Sequence, residues 1–166
     1  MNRRMHSGDL MLASAILFSG NNYQKFAQLA SFLHLAILSP PTFHKIQRTY
    51  LIPCVDGYWI EMQNEVLQEF MNERVVVLGD GRMDSPGHTA QYCTYSFMEI
   101  NSKKILCIVT LDKRVTDRKS TNLEKACFLK GMEFLKNQNI NIVEVVTDAH
   151  TQISALMSKF EIKVSH

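Results

Sequence analysis

Residues 74–81 read RVVVLGDG, and residues 140–148 read INIVEVVTD. Both are short, β-branched, apolar runs that stop at an aspartate. A run of this length without strict alternation suits a strand buried on both faces, as in the centre of an α/β sheet. Gly79-Asp80-Gly81 is predicted to end the first strand at residue 78, and Asp148 follows the second. Each carboxylate then lies where a buried strand runs out, which is where open α/β sheets hold their ligands.

Between these runs the pattern continues. A turn-rich stretch, residues 82–88, precedes an alternating segment at 92–100, the turn Asn101-Ser102-Lys103 and a third apolar run at 105–111. Together they predict a hairpin beside the first strand. Residues 122–137 carry helical periodicity through Leu123, Ala126, Cys127, Lys130, Met132, Phe134 and Leu135, with Ser120, Thr121 and Asn122 as candidate caps. A further helix is predicted at 151–160 and a last strand at 161–164. The order is β-β-β-α-β-α-(β), an α/β class with a mixed sheet.

Upstream of residue 73 the chain reads as a small helical module, residues 1–72. Leu12, Ile16 and Leu17, then Phe26, Leu29, Ala30, Leu33 and Leu35, recur at helical spacing, and Gly20-Asn21-Asn22 separates the two segments. Ser39-Pro40-Pro41 ends the second helix, and Ser39 is placed to cap a third at 42–50. Residues 58–72 predict one more, packing through Ile60, Val66, Leu67 and Phe70. His44, Lys45 and Arg48 give the third helix a basic character with a loose likeness to a helix-turn-helix, although three basic residues also describe an ordinary solvated face. Arg3 and Arg4 before the run at 10–18 imitate a signal peptide, but Asp9 abuts the run and no Ala-x-Ala follows. A nine-residue run is also far short of the roughly 20 residues that a membrane span needs, so no membrane association is expected.

Composition narrows the classes. The 166 residues are 46% hydrophobic and 20% charged, too apolar for a disordered tail. Eighteen basic against sixteen acidic residues give a charge of +2, which neither demands nor excludes nucleic acid. Cys54, Cys93, Cys107 and Cys127 form no Cys-x-x-Cys pair, so a zinc ribbon and a disulfide scaffold are both disfavoured, and buried free thiols in a reducing, nuclear or cytoplasmic, setting are expected. Lys103, Lys104, Lys113, Arg114, Arg118, Lys119 and Lys125 make residues 103–125 the most basic stretch. Beside an acidic edge it is suited to tracking phosphates, or it is a plain solvated loop.

The chemistry rests on three acids. Asp80 and Asp148 end the two most apolar strands, and converging carboxylates repel each other unless a cation sits between them. Glu124 lies in the first turn of the intervening helix, where a Glu also favours the helix dipole. Asp80, Glu124 and Asp148 are the candidate catalytic and metal-binding set.

GDGRMDSPGHTAQY (79–92), TNLEKACFLKGMEFLKNQ (121–138) and VEVVTDAH (143–150) together resemble the ribonuclease H pattern over roughly residues 74–160. In detail they are closer to transposon-derived proteins of fish and invertebrates that share the Gly-Asp-Gly-Arg-x-Asp-Ser-Pro-Gly string and a Val-Thr-Asp-x-His element. The resemblance implies a ribonuclease H-like, acidic-triad transposase core. It would cleave phosphodiesters and transfer strands on DNA, or act on an RNA/DNA hybrid, with two Mg²⁺ or Mn²⁺ ions about 4 Å apart. Asp80 would bridge the ions and Asp148 would ligate one. Glu124 matches the ribonuclease H helix acid, whereas acidic-triad transposases take their last acid from a later helix. Asp84 competes with Asp80 for the first role, and Asp80 is preferred because it ends the strand. His150 is either near the leaving group or a surface residue. The family's final acid comes from a helix beyond the fourth strand and second helix, and Glu161 is the only acid in residues 151–166, so the resemblance implies an incomplete core. The alternative reading is a non-catalytic domesticated fragment that binds nucleic acid or protein. Residues 1–72 would then serve homo-oligomerisation.

Overall fold

The structure, a computed structural model, describes residues 6–85, 89–117, 119 and 122–147 and the backbone of 163–165. Contacts divide the chain into two compact units, Met1–Ile60 and Glu61–His166.

The first unit is helical. Helix α1 (Ser7–Phe18) ends at a turn in which Gly20 has φ 70°, a conformation that glycine adopts without steric cost. Helix α2 (Tyr23–Phe32) is capped by the Asn22 side chain, which accepts from Gln24 N at 2.7 Å. Helix α3 (Pro40–Ile46) starts on the prolines, two residues earlier than expected, and the Ser39 hydroxyl pairs with Thr42 Oγ1 at 2.9 Å rather than with a backbone amide.

The predicted break after residue 50 does not occur. A π-helical turn (Gln47–Leu51) joins α3 directly to α4 (Ile52–Glu69). The cause is Pro53, which lacks an N–H and whose ring crowds the carbonyl four residues back. A turn one residue wider relieves that crowding without breaking the helix. The core of this unit is Ala13, Ile16, Tyr23, Leu38, Phe43, Ile46 and Leu51. Tyr23 stacks on Phe43 with centroids 4.6 Å apart and donates its hydroxyl to Leu38 O at 2.6 Å. Of the expected apolar stripes, Leu29, Leu33, Leu35 and Ile60 are exposed, together with Met11, Phe18, Phe32 and Tyr58.

The second unit is α/β with a mixed sheet. Strands β1 (Arg74–Met83), β2 (Tyr92–Glu99), β3 (Ile105–Asp112), β4 (Asn141–Thr147) and β5 (Lys163–Ser165) lie in the order β3-β2-β1-β4-β5 among the described residues. The β1-β2-β3 meander is antiparallel, and β4 pairs parallel to both β1 and β5. Helix α5 (Leu123–Asn137) follows β3 and covers one face. That face carries Val75 and Val77 from β1, Cys93, Tyr95 and Phe97 from β2, and Cys107, Val109 and Leu111 from β3. Against it pack Leu123, Cys127, Phe128 and Leu135.

Leu67 and Phe70, from and just after the end of α4, also belong to this core, so residues 61–72 go with the sheet rather than with the helical module that the sequence assigned them to. Gln63 Nε2 donates to Leu106 O at 2.9 Å in the same region. The expected helix at 151–160 lies outside the described residues, and the expected last strand at 161–164 is found at Lys163–Ser165.

A second correction concerns β1. The strand does not stop at residue 78 but runs through Gly79-Asp80-Gly81 to Met83, because β2 pairs with it throughout, from Val77↔Glu99 to Met83↔Cys93. Glycine weakens a strand locally, yet a full partner strand overrides that preference. Asp80 is therefore an in-strand residue, not a strand terminus.

Candidate functional site

Near Asp80 the other ladder reaches its last described rung. Parallel pairing of β1 with β4 runs from Arg74↔Asn141 to Gly79↔Thr147. Beyond that rung, among the described residues, β1 is paired on its β2 side only. Asp80 is the next residue along, exposed, on the face away from α5. There it borders a groove of about 470 Å³ over Leu78, Ser96, Met98 and Val146.

The two glycines flanking Asp80 face α5, and each receives a side chain where its own is missing. A Cβ on Gly81 would stand 2.7 Å from Glu124 Cγ and 3.0 Å from Glu124 Oε1. A Cβ on Gly79 would stand 2.6 Å from the Tyr95 hydroxyl. At Gly79 the neighbour is the ring of buried Tyr95, which cannot yield, so glycine is required there; at Gly81 a side chain would push the Glu124 carboxylate aside. Glu124, from the first turn of α5, thus rests on the β1 backbone one residue from Asp80. Glu124 and Asp80 thus lie one residue apart along β1, with Asp80 on the face away from α5 and Glu124 on the face toward it. Asp148, the third, lies outside the described residues, as does His150; in sequence it follows Thr147, the register partner of Gly79.

The carboxylates are felt by their neighbours. Burial, the adjacent Cys127 and the charges of Glu124 and Asp80 push the Cys93 thiol up to about 12. Burial first, then the same two acids, hold the Tyr95 hydroxyl up to about 12 against the lowering effect of its hydrogen bond to Thr147. Both groups therefore stay protonated at neutral pH.

Oxygen donors from one aspartate and one glutamate match the preference of hard divalent cations such as Mg²⁺ and Mn²⁺. Among the described residues no group of three or more His, Cys, Asp and Glu side chains forms a complete metal-holding cluster.

Asp84, the competitor of Asp80, has other work. Its Oδ1 accepts from Gln91 N at 2.9 Å and Tyr92 N at 3.2 Å, while its own N–H donates to Tyr92 O at 3.1 Å. It closes the base of the β1–β2 loop, a role that the Asp-Ser-Pro-Gly turn chemistry hints at. Asp84→Ala removes two acceptor contacts at an exposed position and should cost about 1 kcal/mol in thermal unfolding while leaving divalent-ion affinity unchanged. A loss of ion binding in this variant would return Asp84 to the site.

The basic stretch is partly engaged already. Lys104 pairs with Glu69, and Arg114 forms a two-pronged pair with Asp112 at 2.9 Å on each prong. Arg118 lies outside the described residues. His44, from the basic helix, contacts the Phe43 ring edge-on at 5.4 Å. Cys93, Cys107 and Cys127 are buried free thiols, whereas Cys54 is exposed. Among the described residues no helix is long and apolar enough to cross a membrane.

Sequence reasoning missed Tyr95 and Thr147. The available signal was the Gly-x-Gly spacing in a strand, which marks close approach by another group. No protein-family model, curated protein or solved structure matches this chain.

Proposed function

We propose that the second unit is a ribonuclease H-like domain of transposase descent, whose ancestral chemistry is metal-dependent phosphodiester cleavage and strand transfer on DNA. One observation carries this reading: the Gly81 notch seats Glu124 against β1 one residue from Asp80, just past the last described rung with β4. Three acids distant in sequence can share an ion only if the helix and both strands deliver them to one place. The β-β-β-α-β order with parallel β1 and β4 is the topology that such a delivery calls for, and it supports the reading.

Asp80 and Glu124 would hold the ion together with Asp148. A bound Mg²⁺ or Mn²⁺ supplies activation of a water or hydroxyl and neutralises developing phosphate charge. The chain's own part is to fix the two described carboxylates: Asp80 through unbroken pairing with β2, Glu124 through α5 packing and the Gly81 notch. Lys113, Lys119 and Lys125, near the start of α5, are then positioned in sequence to meet a phosphate backbone.

The test is a calorimetric Mn²⁺ titration of the full chain, followed by a DNA-nicking assay. Wild type should bind Mn²⁺, Asp80→Asn should lose binding, and Glu124→Gln should weaken it about tenfold or more. Absence of binding in wild type overturns the metal site. Metal-dependent cleavage that persists in both Asp80→Asn and Asp148→Asn removes these residues from the chemistry.

A second reading, a protein-binding module without catalysis, is favoured by one feature of the first unit. Met11, Phe18, Phe32 and Tyr58 are 64–74% exposed there, more apolar surface than a lone helical unit needs. Self-association through this unit would appear as a concentration-dependent mass in sedimentation equilibrium.

A further inference from the structure

Tyr95 is fully buried, its ring tilted against Phe97 at 5.0 Å and edge-on to Phe128 at 5.6 Å. Those contacts would serve a phenylalanine equally well. The hydroxyl must therefore be accounted for separately, because burying it without a partner costs free energy. Its partner is Thr147 Oγ1 at 3.3 Å, on the last residue of β4, itself only 7% exposed. Tyr95 belongs to β2, and β2 and β4 do not pair with each other, since β1 lies between them. The hydroxyl crosses under β1 at Gly79, where the strand has no side chain to block it.

We infer that Tyr95 is a positioning residue: its hydroxyl, passing through the Gly79 notch to Thr147, ties to β2 the stretch of β4 that directly precedes Asp148 in sequence and holds it at the rung next to Asp80. The inference rests on the acidic-site reading above. A strand beside a binding site holds its groups only as firmly as it is itself held, and Thr147, the last described residue of β4, lies immediately before the third acid in sequence. The tie holds it without contacting the ion. The two glycines around Asp80 then have separate duties: Gly81 admits a carboxylate, and Gly79 admits the hydroxyl that steadies the neighbouring strand.

Two measurements on the full chain decide the matter, using Tyr95→Phe, Thr147→Val, the double variant and Thr147→Ser. The first is hydrogen exchange of the Val145, Val146 and Thr147 amides without metal. The second is Mn²⁺ affinity by calorimetry. Tyr95→Phe and Thr147→Val should each speed exchange at these amides about tenfold, with α5 amides unchanged, and weaken Mn²⁺ about tenfold. The double variant should be no worse than either single one, because both remove the same bond. Thr147→Ser keeps a hydroxyl and should restore both readouts. Unchanged exchange in Tyr95→Phe shows that the tie does not hold the rung and overturns the inference. Faster exchange with unchanged Mn²⁺ affinity makes Tyr95 merely structural and also overturns it, leaving the site itself intact. If wild type binds no Mn²⁺, the acidic-site reading fails first and this inference falls with it.

Discussion

Gly131→Ala is expected to destabilise the second unit by about 2–3 kcal/mol, against the usual benefit of replacing a helical glycine. Alanine in a helix interior is favoured over glycine by about 1 kcal/mol. At Gly131, in the middle of α5, the new Cβ would lie 2.1 Å from Phe97 Cε2 and 2.9 Å from Cδ2 and Cζ. Phe97 has nowhere to go: it is fully buried, with Tyr95 on one side and Phe128 at 5.7 Å on another. Either the ring leaves its rotamer or α5 lifts off the sheet, and overpacking of this kind costs 1–3 kcal/mol and occasionally more. The steric cost wins. Gly57, inside α4 with nothing within 4 Å of its would-be Cβ, provides the contrast: Gly57→Ala should be neutral or stabilising. Urea unfolding of both variants checks this, and combining Gly131→Ala with Phe97→Leu should recover part of the loss. Equal midpoints for wild type and Gly131→Ala would mean that α5 does not sit as close to β2 as described.

The second large effect is alkaline. Burial pushes the Cys93 thiol up to about 12 and the Cys107 thiol up to about 11, and it raises Cys127 as well. In the unfolded chain the same thiols begin to ionise near pH 9. The unfolded state therefore binds fewer protons above that pH, and the unfolding free energy falls as pH rises. The stabilisation from these groups is complete below pH 9 and is lost towards pH 12, with Tyr95 adding to the loss above pH 10. Each group contributes up to about 1.4 kcal/mol per pH unit. Cys93 and Cys107 together remove up to about 5 kcal/mol between pH 9 and pH 11, a large share of an ordinary domain's stability. The second unit should lose much of its stability by about pH 11, and Cys107→Ala should reduce the slope of stability against pH by about one proton. A flat profile from pH 8 to 11 would show that the thiols are not buried in solution.

The valine run at 74–78, the hairpin and the α5 periodicity were legible because each is a local pattern of side-chain type. Gly79-Asp80-Gly81 misled for the same reason. Read locally, two glycines end a strand; the facts that reverse this, a paired β2 and two side chains entering from α5 and β2, are distant in sequence. NIVEVVT reads as a continuous apolar strand because Val143 is skipped in the ladder, with Val75↔Ile142 followed by Val76↔Glu144, which breaks the alternation that would have assigned faces. Pro53 misled through a turn type too rare to expect. Glu124 was found by its place in the first turn of α5, but its seat at Gly81 could not be. Phe128 and Gly131 were missed because the helix meets the sheet through a matched bulge and hollow rather than through the strongest apolar stripe.

The contact from Gln63 to the Leu106 carbonyl has a consequence for solubility. β3 is the outermost strand on its side of the sheet, eight residues long, with Ile105 and Ile108 about 40% exposed. A rim of that kind invites a foreign strand to continue the sheet, the first step of fibril growth. A glutamine amide already occupying one of its acceptors, next to the irregular register at Phe97/Met98, spoils the template at the start of the strand. The helix end thus doubles as a guard, and a chain cut after residue 63 would expose the strand it shields.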